Sequence, residues 1–248
     1  MDLLRSATFD AARAPPLPEL NIGQLLDAQH QLYPNRVAAV SRWQRRRLTY
    51  QDLYNKSRDV ALSLLVHGVR PGDHIVVLAG NSLEYAQLFF AVGAIGAVFS
   101  IINPTFTAEE VIAAVNFLGK QPASFLSTWV VSRTNLCSIH SAEPAAVFVA
   151  DRIGYRKNDD LLASLMQTRT GASFIVRLST IERAHVDGML NWDEFLNRPG
   201  VKDHHELLVQ YWAASHPDDT LCVQFTSGTT GPRKAAMLSH RYVLTRQG

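Results

Sequence analysis

Six consecutive residues near the carboxyl end, Thr226, Ser227, Gly228, Thr229, Thr230 and Gly231, carry four hydroxyls and two glycines and no apolar bulk. The stretch before them, Leu221–Phe225 (LCVQF), is mostly apolar and suits a buried strand, so the chain must leave that strand for a loop. Glycine lets backbone amides come close to a ligand, and hydroxyls with freed N–H groups can converge on one anion. Lys234, three residues past Gly231, adds a movable positive charge. Phosphate is the anion these groups fit, held in place by them rather than attacked. The same composition between two strands also occurs in plain hairpin turns.

Other chemistries fail on spacing. A Walker-type phosphate loop needs Lys directly after Gly and before Ser or Thr, whereas Lys234 stands between Arg233 and Ala235. No GxSxG elbow supplies an esterase nucleophile. None of the nine histidines falls in HExxH or another ligand spacing, so each is expected to be structural, and no metal site is expected.

The longer stretch Gln224–His240, QFTSGTTGPRKAAMLSH, resembles the ATP-binding signature of the adenylate-forming superfamily, which holds acyl-CoA synthetases, luciferases and peptide-synthetase adenylation domains. The match covers Thr226–Gly231, Lys234 and Met237–Arg241. It departs at Arg233, where the family has Pro and this chain has Pro232 one place early, and at Ala235, where Gly is commonest. Upstream, LAGNSLEY, GAIGAVFSIINP and TAEE follow one another as in the N-terminal part of acyl-CoA synthetases.

The resemblance implies an α/β fold, an incomplete N-terminal portion of the large adenylate-forming domain with a mostly parallel sheet and covering helices. It implies ATP-dependent activation of a small carboxylic acid to acyl-AMP, then thioester formation with CoA, with Mg2+ accompanying ATP. Thr226, Ser227, Gly228, Thr229, Thr230, Gly231 and Lys234 would hold the nucleotide phosphates. The resemblance would put the family's adenine, ribose and Mg2+ contacts, its hinge and its C-terminal lid with the adenylating lysine outside these residues, so the chain is expected to be inactive alone. A catalytically inactive fragment or phosphate-binding module, or an adenylation domain serving a carrier protein, are the alternatives.

The elements that must carry the loop are readable in order. Residues 1–20 end in APPLPEL and read as an extended tail, with too many charges for a secretory signal and acidic residues against a mitochondrial presequence. Residues 21–248 read as the partial domain. Asn21 with Gln24, Thr49 with Asp52, Asn81 with Glu84 and Thr107 with Glu110 are capping pairs for four helices. Val37–Val40 and Arg47–Thr49 read as short strands around Arg42, Trp43, Gln44, Arg45 and Arg46, a solvated hairpin tip rather than a nucleic-acid site. His74–Ala79, Ala97–Ile102, Ala145–Ala150 and Ile175–Leu178 read as buried strands, and Asp159–Met166 and Asn191–Leu196 as helices.

Gly119–Glu143 has no clear period or capping logic and reads as an insertion foreign to the ancestral domain. A retained intron and a lineage-specific surface loop are the two origins weighed for it. Leu88–Ile102 is apolar but too short for a span, and reads as a helix end followed by a strand. A net charge of +2 gives no basis for a nucleic-acid partner, and Cys137 and Cys222 form no framework, so a reducing compartment is expected. The cytoplasm fits, ahead of peroxisome or mitochondrion.

Overall fold

Capping chemistry sets most helix starts in the computed structural model, which describes residues 19–119, 144–168, 171–178, 187–200, 204–226 and 234–245. Asn21 and Gln24 close a reciprocal capping box on α1 (Ile22–Leu32). Thr49 and Asp52 do the same for α2 (Tyr50–Val66). Between them lie β1 (Val37–Ser41) and β2 (Arg46–Thr49), an antiparallel pair forming its own two-stranded sheet. Gly68, at φ +92°, turns the chain out of α2 toward β3 (His74–Leu78), a backbone conformation that glycine adopts without a Cβ penalty.

One expected cap moves by a residue. Helix α3 (Leu83–Ala94) is capped by Ser82, whose hydroxyl accepts from the Tyr85 N–H, and not by Asn81. The Glu84 carboxylate, expected to close that box, instead accepts from Gln44 and Arg46 of the hairpin. The Asn81 carbonyl accepts from the Trp43 indole N–H at 2.8 Å, so tertiary partners outcompete the local box.

Strand β4 (Val98–Ile101) follows, then α4 (Ala108–Gly119), where Thr107 and Glu110 exchange the expected box hydrogen bonds. After β5 (Ala146–Ala150) a small hairpin of β6 (Arg152–Ile153) and β7 (Arg156–Lys157) leads into α5 (Asp159–Gln167). The chain continues through β8 (Phe174–Leu178), β9 (Leu190–Asn191) and α6 (Trp192–Leu196), the last capped by Asn191 with Glu194. Helix α7 (His205–Ala214) precedes β10 (Thr220–Thr226), β11 (Lys234–Ser239) and α8 (His240–Thr245). The expected insertion lies outside the described residues apart from Gly119, which ends α4.

The main sheet has seven strands in the order β11-β10-β4-β3-β5-β8-β9. Every neighbouring pair is parallel except β10 with β11. Central β3 is buried along its whole length, as a strand covered on both faces must be. Its Ile75 and Val77 join a core with α1, α2, α3, α6 and α7, while Val76 and Leu78 join a second core under α4 and α5. The fold is α/β, a mainly parallel sheet between helical layers. Among the described residues no helix is long and apolar enough to cross a membrane.

Candidate functional site

The parallel strands β3, β4, β5, β8 and β10 all end at one edge of the sheet. In open α/β sheets that carboxyl edge is where ligands bind. Strand β10 reaches it beside β4, with Cys222 paired to Phe99, Val223 to Ser100 and Gln224 to Ile101. The chain then returns as β11, and the last paired positions of the hairpin are Thr226 and Lys234. Of the sequence-predicted phosphate ligands, these two are therefore brought opposite each other in the backbone. Ser227, Gly228, Thr229, Thr230 and Gly231 lie outside the described residues.

Apolar packing holds this hairpin from one face. Phe225 meets Phe106 and Phe117 edge-on, with ring centroids 6.4 and 6.0 Å apart, and Ala235 and Met237 pack on the same core. Alternation turns Cys222 to the opposite core, and the irregularity between Thr220 and Cys222 lets its neighbour Leu221 join it there. Burial raises the Cys222 thiol to a pKa of about 11, so it stays protonated and inert near neutral pH.

The base of the hairpin is held by polar side chains of sequence-distant residues. His240, the first residue of α8, is fully buried, and its Nδ1 accepts from the Ile22 N–H at 3.0 Å, across 218 positions. Desolvation lowers its pKa to about 4, which keeps the ring neutral and able to accept. Asn21, also fully buried, caps α1 with its oxygen and donates from Nδ2 to the Ser215 and Trp212 carbonyls at 2.9 and 3.3 Å. Arg241 donates from Nε and Nη2 to the two Asp218 oxygens at 2.6 and 3.1 Å, and reaches Glu19 at 3.0 Å. Those hydrogen bonds from Arg241 hold both carboxyls below their usual range. Sequence reading marked His240 and Arg241 only as part of a signature; the structure makes them positioning residues for the hairpin. For Arg241 the readable signal was the acidic turn His216–Asp219 before β10, whose Asp218 takes it as a partner.

Among the described residues no three His, Cys, Asp or Glu side chains converge to hold a metal. His74 pairs with the Ser100 hydroxyl at 2.8 Å between neighbouring strands, a structural role like that of His240.

Residues 26–247 match the family model described as AMP-binding enzyme. The chain belongs to the AMP-binding enzyme family. It is 31% identical over 226 residues to the acyl-CoA ligase sidI of Beauveria bassiana, covering 91% of this chain and 34% of that protein. It is 28% identical over 198 residues to 4-coumarate–CoA ligase 4 of Arabidopsis thaliana, covering 80% of this chain and 29% of that one. The chain thus spans about a third of the length of these AMP-binding relatives. Among solved structures it is similar to the anthranilate CoA ligase AuaEII in complex with anthranoyl-AMP, with a TM-score of 0.69 at 20% identity over 94% of this chain and 37% of the other. The acetoacetyl-CoA synthetase of Streptomyces lividans gives a TM-score of 0.65 at 21% identity, over 92% of this chain and 31% of the other. At those identities the likeness concerns the fold alone.

Proposed function

We propose that this chain is the phosphate-gripping part of an acid–thiol ligase, in which Thr226, Ser227, Gly228, Thr229, Thr230, Gly231 and Lys234 hold the phosphates of ATP. In the complete reaction a carboxylate oxygen attacks the α-phosphorus of ATP, the bond to the β-phosphate oxygen breaks, and pyrophosphate leaves. The CoA thiolate then takes the acyl group and AMP departs. Attack of one anion on another requires phosphate charge to be neutralised, which is work for converging N–H groups, hydroxyls, Lys234 and the Mg2+ that accompanies ATP.

The observation that carries this reading is the hairpin's placement and spacing. Thr226 and Lys234 close β10–β11 at the ligand-binding edge of the sheet, and residues 227–233 join them. Seven connecting residues are more than the roughly two to five of a tight hairpin turn. That spacing favours a binding loop over a plain reversal. The names of the relatives, acyl-CoA ligase and 4-coumarate–CoA ligase, support an organic acid as substrate without selecting a fatty one. We place the enzyme in the cytoplasm, where the buried Cys222 thiol would stay reduced.

The test is pyrophosphate release with a panel of carboxylic acids. Protein of the relatives' length that carries this segment should release pyrophosphate only when a suitable acid is present, and residues 1–248 alone should release none. Binding of ATP without release at full length would favour the inactive phosphate-binding module instead. Acid-dependent release followed by loading of a carrier protein, with CoA refused, would favour the carrier-serving adenylation domain.

A further inference from the structure

The β1–β2 hairpin has two unlike faces. On the inner face Leu48 is buried, Ala38 and Ala39 are partly buried, and all three pack with Leu26, Leu53 and Leu83 of α1, α2 and α3. On the outer face the cross-strand partners Val40 and Arg47 stand in solvent. Val37 and Val40, with Arg42, Arg45, Arg46 and Arg47, line one shallow groove there. Val40 is 66% exposed, Trp43 at the tip 58% and Val37 48%. A solvated hairpin would carry polar residues on this face, since apolar side chains there gain nothing from water.

Trp43 is held at its polar end only, where its N–H donates to the Asn81 carbonyl, while most of the ring is bare. The charge is one-sided. Of the four arginines lining the groove, Arg46 has a close carboxylate partner in Glu84 at 3.2 Å and still keeps its side chain 52% exposed. Arginines interleaved with exposed valines and an amphipathic tryptophan complement a surface that is anionic on top and apolar just beneath. A soluble polyanion would match the arginines and leave the valines and the indole without a partner.

We propose that the outer face of the β1–β2 hairpin docks the protein on an anionic lipid surface, the arginines meeting headgroups and Val37, Val40 and Trp43 entering the interfacial layer. Such a surface would hold the protein at the bilayer, where apolar carboxylic acids partition.

The experiment is cosedimentation of the full chain with phosphatidylcholine vesicles, with and without phosphatidylserine. Binding should require phosphatidylserine and fall as salt rises. Each of Arg42→Gln, Arg45→Asn and Arg47→Gln should weaken partitioning about fivefold. Arg45→Asn also suits the left-handed backbone at that position (φ +52°), so a loss there is not a loss of the hairpin. Val40→Thr, which keeps the strand-favouring shape, should weaken partitioning at least about threefold. Equal binding to both kinds of vesicle, no binding to either, or binding indifferent to the arginine replacements would overturn the proposal. So would equal affinity for soluble polyglutamate unaffected by Val40→Thr, which would mark an acidic protein as the partner.

Discussion

Two antiparallel hairpins in this molecule differ in what holds them. The β1–β2 hairpin stands apart as its own sheet, rests one apolar face on three helices and turns at Arg45 in a strained left-handed conformation. The β10–β11 hairpin is built into the main sheet, its base is tied to α1 by buried His240, and buried Asn21 ties α1 in turn to the end of α7. One is a surface hairpin whose exposed tip is pinned to the start of α3 through Trp43, Gln44 and Arg46. The other has a fixed base at the carboxyl edge of the main sheet, where Thr226 and Lys234 are its last paired residues.

The largest predicted break in that comparison comes from acid. His240 and His74 both have pKa values lowered from 6.5 to about 4 by burial. The unfolded chain therefore takes up protons between those values that the folded chain refuses. Their stabilisation is complete above about pH 6.5 and is lost as pH falls toward 4, by on the order of 3 kcal/mol for each histidine. Urea titrations at several pH values should show this slope, and it should be shallower in His240→Asn. Amide-hydrogen protection factors, which allow for the slower intrinsic exchange in acid, should fall at β10–β11 before β1–β2 as the pH drops.

Next is His240→Ala at neutral pH, which removes the acceptor for the Ile22 N–H and leaves a cavity. It should cost about 3 kcal/mol in urea unfolding. A loss within the error of the titration would deny His240 its positioning role. Gly93→Ala is a smaller and sharper case, because alanine in mid-helix ordinarily stabilises. Here a Cβ would overlap the Ile22 side chain and come within 2.7 Å of Leu221, so the substitution should destabilise by about 2 kcal/mol. A raised melting temperature would show that α1, α3 and β10 are less tightly joined than described. The smallest effect is at the other hairpin, where Arg45→Gly should stabilise by about 0.5 kcal/mol by relieving the positive φ.

Local chemistry made much of this fold readable beforehand. Asn21 with Gln24, Thr49 with Asp52 and Thr107 with Glu110 act within a few residues, and their boxes form as expected. Buried strands such as His74–Leu78 show as apolar runs because both faces are covered. Leu88–Ile102 resolves into the end of α3 and β4, the helix end and strand expected of an apolar run too short for a span. Helix α7 was not legible, since His204 offers no side-chain cap and Leu208 alone is buried on it. The short strands β6, β7 and β9 span two residues each, below any sequence period. At the candidate site, loop composition was local and visible, whereas the bond joining His240 to Ile22 depends on residues that only the folded chain brings together.

The central claim, that the segment between Thr226 and Lys234 holds a nucleotide's phosphates, is tested most directly by the affinity of the protein for Mg2+·ATP with and without Lys234. One charge-assisted contact contributes about 1.5–3 kcal/mol, so Lys234→Ala should weaken binding by roughly tenfold or more, and turnover at full length by a similar factor. Equal affinity in calorimetric titrations of the two proteins would contradict the assignment.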